Sequence, residues 1–169
     1  MSHCEDKHCT CAHTVAAQSL DELEFEKGVW YAAQYGDLVR VTKLLCNYES
    51  DPDKRDSAGY TALHYAARNG HLDVCKFLIE KGADIDSVTR VGKATALCRA
   101  SSAGKKDVVE YLINQKANIF IQDSDGKTAL HRAAENKHLP ICEILLKVAP
   151  SLKEVADNRG TKIDLEKVN

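Results

Sequence analysis

Residues 56–88 read DSAGYTALHYAARNGHLDVCKFLIEKGADIDSV, and this stretch decides the fold. It opens on a turn of small residues, runs through Thr61-Ala62-Leu63-His64 into a short apolar helix, and stops at Gly70. A second helical pattern carries Val74, Cys75, Phe77, Leu78 and Ile79 and stops at Gly82. Apolar residues at intervals of three and four mark an amphipathic helix, and a glycine just past the last of them marks its end. The unit then returns. Thr95-Ala96-Leu97-Cys98 lies 34 residues on, and Thr128-Ala129-Leu130-His131 lies another 33.

A unit of about 33 residues that begins Thr-x-Leu-His is similar to the ankyrin repeat, whose signature is T-P-L-H-x-A. The chain resembles that family, most specifically over residues 21–169. The resemblance implies an all-α ankyrin-repeat solenoid of stacked helix pairs with β-hairpin-like turns, about four repeats plus a truncated C-terminal cap. Repeats are expected near 21–55, 56–88, 89–122 and 123–156, with the partial cap at 157–169. The repeat domain then spans 18–169, after a Cys/His-rich tail at 1–17 that is either disordered or metal-bound. One helix pair cannot bury its apolar stripe alone, so neighbours stack and share a core. Small residues at Ala66, Ala67, Ala100, Ala133 and Ala134 fit inner helices that approach closely.

The repeats depart from one another in readable ways. Residues 29–46 align with 63–80, but Trp30 stands where His64 would, and the turn is missing; this is a capping first repeat. Ahead of it, Asp21 and Glu24 fit an N-cap and capping-box partner. The third repeat has one extra turn residue, Gly92 being followed by Lys93-Ala94 before Thr95, and Cys98 replaces the histidine. Lys137 stands where the other repeats have glycine, at an expected cost of about 1 kcal/mol for a left-handed backbone. Pro140 suits the first turn of a helix, and Pro150 ends it. Gly160 lies 34 residues after Gly126 and opens a fifth repeat whose short helix is expected at 163–168.

Composition narrows the function. With 28% charged residues, 44% apolar residues and a net charge of −2, the profile is that of a globular domain. No basic face is expected, which argues against nucleic acid, and no run of 18 apolar residues offers a membrane span. The polar N-terminus is not a secretory leader, so an intracellular location, cytoplasmic or nuclear, is expected. In a reducing compartment seven cysteines are core residues or metal ligands rather than disulfides.

Four sets of residues were candidates for chemistry. His64 and His131 recur at the repeat period, as do His71 and His138, and such periodic histidines serve the turn-to-helix junction rather than catalysis. Cys46, Cys75, Cys98 and Cys142 lie in or at the ends of apolar runs and read as core, with no base spaced to activate a thiol. In the tail, Cys4, Cys9, Cys11 and His13 are the right types for zinc, but their spacing matches no standard knuckle. Elemental analysis of the full chain against one lacking residues 1–17 separates metal binding from a solvated tail. The fourth set is the concave surface.

By the family's geometry, the solvent-facing inner-helix positions are Tyr31, Tyr65, Arg99 and Arg132, then Gln34, Arg68, Ser102 and Glu135, then Tyr35, Asn69, Ala103 and Asn136. Tyrosine and arginine are frequent binding hot spots, and Tyr31 and Tyr35 share a helix face. Tyr60, Arg90, Lys93, Asp125, Lys127 and Arg159 lie at turn tips. The expectation is therefore a non-enzymatic, monomeric protein-binding module or adaptor. It would contact a protein partner through Tyr31, Gln34, Tyr35, Tyr60, Tyr65, Arg68, Arg99, Arg132 and Glu135, with no cofactor beyond a zinc or copper ion in the tail. The alternative is a metal-binding or metal-sensing protein that acts through the tail, with the repeats as its docking platform.

Overall fold

The structure is a computed structural model, and it describes residues 28–47 and 51–163. Eight α-helices follow one another in pairs among these residues: α1 (Val29–Gln34) with α2 (Leu38–Asn47), α3 (Ala62–Asn69) with α4 (Leu72–Glu80), α5 (Ala96–Ser102) with α6 (Lys106–Asn114), and α7 (Ala129–Glu135) with α8 (Leu139–Val148). A 3-10 turn at Pro150–Glu154 follows α8. The inner helices stack in the order α1, α3, α5, α7 and the outer helices in the order α2, α4, α6, α8. Each pair touches only its neighbours, as a solenoid requires. The capping residues Asp21 and Glu24, the tail, and the helix expected at 163–168 lie outside the described residues or run beyond them.

The inner helices can stack closely because their packed positions are small. Ala32, Ala33, Ala66, Ala67, Ala100 and Ala133 are fully buried, flanked by the buried leucines Leu63, Leu97 and Leu130. Outer helices add Val41, Val74, Leu78, Val108, Leu112, Ile141 and Leu145 to the same core. Ser101 takes the place of the second alanine in the third repeat, and its buried hydroxyl has no hydrogen-bond partner.

The Thr and His of each repeat close the junction between turn and helix. Nδ1 of His64 accepts a hydrogen bond from the Thr61 backbone N–H at 3.2 Å and lies 2.8 Å from the Thr61 hydroxyl. That leaves Nε2 to carry the ring proton and donate to the Ala94 carbonyl in the next repeat at 3.0 Å. Thr128 and His131 repeat the capping box. Trp30 makes the corresponding forward bond in the first repeat, its Nε1–H donating to the Lys54 carbonyl, just before the second repeat, at 2.8 Å. The second-helix histidines bond backwards: His71 Nε2 meets the Gln34 carbonyl at 3.0 Å, and His138 Nε2 meets the Ser102 carbonyl at 3.2 Å. These histidines are scaffold.

The turns close like hairpins without forming strands among the described residues. Asp56 N–H donates to the Tyr60 carbonyl and Asp123 N–H to the Lys127 carbonyl, each across four residues. In the third repeat Thr89 N–H reaches the Ala94 carbonyl across five, so the extra residue widens the turn. Gly92 and Lys93 at its tip both have positive φ, 88° and 49°. Lys137 is left-handed at φ 59°, as expected, and so is Lys116 at φ 69°, which stands where the second repeat has Gly82.

One expectation about the cysteines is corrected. Cys75, Cys98 and Cys142 are buried, but Cys46 is exposed, because it lies in the last turn of α2 on the side away from the core. Burial pushes the Cys75 thiol up to about 12, with Asp73 adding to the effect, so it stays protonated and inert.

Candidate functional site

The inner helices place their remaining side chains on one face. Their first-row residues are the clearest guide, because in the second and fourth repeats each bonds the opening residue of its own turn. In the second repeat the Tyr65 hydroxyl donates to Asp56 at 2.6 Å. In the fourth, Arg132 Nε donates to Asp123 at 2.7 Å and Nη2 to Asp125 at 2.8 Å, while Nη1 meets Glu135 at 3.2 Å. Asp123 itself is buried and ties the turn together by accepting from the Asp125 and Lys127 amides. Partial burial opposes the Arg132 charge, but the bonds to Asp125 and Asp123 outweigh it and hold the guanidinium firmly protonated.

The third repeat breaks this pattern. Its turn opens on Thr89, whose hydroxyl donates to the Val91 carbonyl and accepts from the Ala94 amide. A threonine closes the turn but brings no charge. Arg99 therefore has no carboxylate within 4 Å among the described residues. It leans across to the second repeat instead, with Nη2 donating to the Tyr60 hydroxyl at 3.1 Å and the guanidinium 5.0 Å from the centre of that ring. Its Nε is buried and has no hydrogen-bond partner among the described residues. Tyr60, Gly92, Arg99, Ser102, Asp123 and Arg132 line a recess of about 280 Å³ at this point.

The structure sorts the residues expected from sequence into different duties. Tyr35 is exposed at 62%, and its ring centre lies 4.6 Å from that of Tyr31, whose other face carries Arg40 at 5.5 Å. Gln34 is half-buried and Arg68 is exposed. Tyr65 is half-buried, packs against the core, and spends its hydroxyl on Asp56. Glu135 is ion-paired to both Arg132 and Lys127. Tyr60, placed at a turn tip by its spacing, lies against Arg99 and Tyr65 rather than pointing outward. So Tyr60, Arg99 and Arg132 meet around one recess, while Tyr31 and Tyr35 form a separate aromatic pair on α1 and the residue just after it.

Sequence reasoning missed three features. Val91 is 73% exposed at the third turn tip, beside the recess. Ser102 accepts from the Asn136 side chain at 3.2 Å and so links the second row of one repeat to the third row of the next. The third is the exchange of aspartate for Thr89, visible on comparing positions 56, 89 and 123. Cys4, Cys9, Cys11 and His13 lie outside the described residues. Within the described residues no group of three or more His, Cys, Asp or Glu is placed to hold a metal ion. No helix there is long and apolar enough to cross a membrane.

Comparison with known proteins agrees with the repeat architecture. The family model for ankyrin repeats (three copies) matches residues 3–89 and 88–154. The chain is 53% identical over 90 residues to human ankyrin repeat domain-containing protein 39, an alignment that covers 51% of this chain and 48% of the relative. It is 57% identical over 72 residues to the Bos taurus protein of that name, covering 40% of this chain and 38% of the relative. With mouse ankyrin repeat and SAM domain-containing protein 6 it shares 32% identity over 116 residues, 69% of this chain but 13% of that longer protein. The matched chain thus spans less than half the length of each of these relatives.

Proposed function

Because the chain belongs to the ankyrin-repeat family, we propose that it is a non-enzymatic interaction module that holds a protein partner across the concave face of its inner helices and the adjoining turn tips. The observation that carries this reading is the division of labour along the inner helices. Alanines, leucines and histidines face the stack, while Gln34, Tyr35, Arg68, Asn69, Ser102 and Asn136 stay partly or fully exposed along the opposite edge. Around the recess these positions from neighbouring repeats lie within bonding reach of one another, as Ser102 and Asn136 do.

Rigidity is the mechanism. Each contact position lies on or just after an inner helix packed against its own outer helix and at least one neighbouring inner helix, so a partner meets side chains that are already in place and loses little ordering entropy on binding. The outer helices have no comparable arrangement, their exposed residues being mostly lysine, aspartate and glutamate, which interface cores avoid.

A photo-crosslinking amino acid placed at Arg68 or at Ser102, in the chain expressed in cells, should yield discrete protein adducts. The same group at Lys43 or Asp107 on the outer helices should yield few. Adducts of equal strength from the outer positions would contradict the concave-face reading.

A further inference from the structure

In the second and fourth repeats the turn supplies a carboxylate to the first-row side chain: Asp56 to Tyr65, and Asp123 to Arg132. In the third repeat the position belongs to Thr89, and the first-row side chain is Arg99. The consequence is a guanidinium with one hydrogen bond, a stacked tyrosine, and a buried Nε with no acceptor. A buried donor without an acceptor is unfavourable, so this site is incomplete by itself. Arg99 lines the recess of about 280 Å³ together with Tyr60, Ser102 and Arg132.

We infer that Arg99 takes the carboxylate of an Asp or Glu side chain from a protein segment lying along the concave face, filling the place that Thr89 leaves without a charge. This rests on the concave-face reading above and names the chemistry of the partner. Arginine pairs with carboxylates through two parallel N–H donors, a geometry that a neutral amide cannot match. Arg132 does not compete for the same group, since Asp123, Asp125 and Glu135 already surround it. Asp123 also lines the recess, but it is paired with Arg132, which leaves Arg99 as the guanidinium of the recess without a carboxylate partner among the described residues. Val91, exposed at the wide turn beside the recess, offers an apolar neighbour to whatever flanks that acid.

The further departures of the third repeat lie close by. Cys98, in place of the histidine, also lines the recess, and the extra turn residue carries Gly92 with it to the rim. Arg55, just before the second repeat, ties that repeat's turn to the next by bonding the Gly59 and Val88 carbonyls, and Gln122, just before the fourth, does the same through Gly126 and Ala156. Val88 holds that position just before the third repeat and has no side-chain donor with which to do so.

The test is a set of immobilised short peptide pools with one central position fixed as Glu, Gln or phosphoserine and the rest randomised. Intact chain is compared with Arg99→Ala, Thr89→Asp and Arg68→Ala variants. Thr89→Asp restores the residue that the second and fourth repeats carry, so it should fill the site from within and leave the fold intact. The expected result is a preference of about tenfold for the Glu pool over the Gln pool, lost in both Arg99→Ala and Thr89→Asp and weakened by salt. Equal binding of the Glu and Gln pools, a preference that survives both substitutions, or binding of the phosphoserine pool alone would overturn the inference. If the pools bind without acid preference but Arg68→Ala reduces them all, the concave-face reading stands and only the carboxylate is wrong. Binding that none of the three variants changes would overturn both, and so would no binding by any pool.

Discussion

His64 illustrates how a polar residue becomes part of a core. Its two ring nitrogens have separate partners, the Thr61 amide on one side and the Ala94 carbonyl of the next repeat on the other. Only the neutral ring satisfies both. Burial lowers its pKa from the ordinary value to about 4, with the nearby Arg99 and Arg55 charges acting in the same direction. In the unfolded chain the ring titrates near pH 6.5, so below that the unfolded state binds the proton more readily. Stability from His64 is therefore complete above about pH 6.5 and falls as pH drops toward 4, by on the order of 3 kcal/mol in all. Chemical denaturation from pH 7 to pH 4 should show this loss. A His64→Gln variant, which keeps a capping-box side chain, should show a smaller slope over the same range. Parallel slopes would mean that His64 is not held neutral.

The structural role of His64 was legible from sequence, because His64 and His131 recur at the repeat period in company with threonine. The difference between Arg99 and Arg132 was not. Both occupy the same repeat position, and what separates them is a neighbour nine or ten residues earlier on the turn, whose contact with the helix only the folded chain shows. Cys46 was misread for a related reason. Its run is apolar, but the helical phase turns it outward after Leu45, which is buried.

At the level of the element, the junctions between paired helices explain an apparent defect. Gly36 and Gly104 have positive φ, and a Cβ on either would meet the histidine ring of the next repeat, His71 at 2.5 Å or His138 at 2.7 Å. Lys137 holds the matching position in the fourth repeat, with φ 59°, and no following second helix among the described residues presses on it. The position there asks only for a left-handed backbone, which lysine adopts at a modest cost. Lys137→Gly should therefore raise stability by about 1 kcal/mol or somewhat less, measured as an increase in the denaturation midpoint at unchanged slope. A decrease would show that the lysine side chain makes a contribution larger than the strain. The lysine was visible in the sequence, and the reason it is tolerated was not, because that reason is a packing partner present in three repeats and missing from the fourth. Element boundaries were legible where a glycine or Pro150 ended a helix. The wide third turn was legible from its extra residue.

Across the whole molecule, the repeat period determined the order and stacking of the helices, and the described residues follow it from Val29 to Ile163. What the period could not reveal is how the repeats differ, and the third differs most. Thr89, Val88, Cys98 and Ser101 replace residues that tie a turn to its own helix, tie neighbouring repeats together or pack between them, and Thr89 and Cys98 line one recess. Of the buried groups left without a hydrogen-bond partner among the described residues, only Arg99 lines the recess, while Ser101 lies inside the stack. The central claim is that this concave face, and not the outer helices, is the binding surface. Its most direct test is calorimetric affinity for a partner captured by the crosslinking positions, measured with the intact chain and with Ser102→Trp and Asp107→Trp variants. Ser102 is half-buried at the recess and Asp107 is exposed on α6, so both variants should melt close to the intact chain. The account predicts that Ser102→Trp weakens binding by about tenfold or more while Asp107→Trp leaves it unchanged; equal affinity for Ser102→Trp and the intact chain would contradict it.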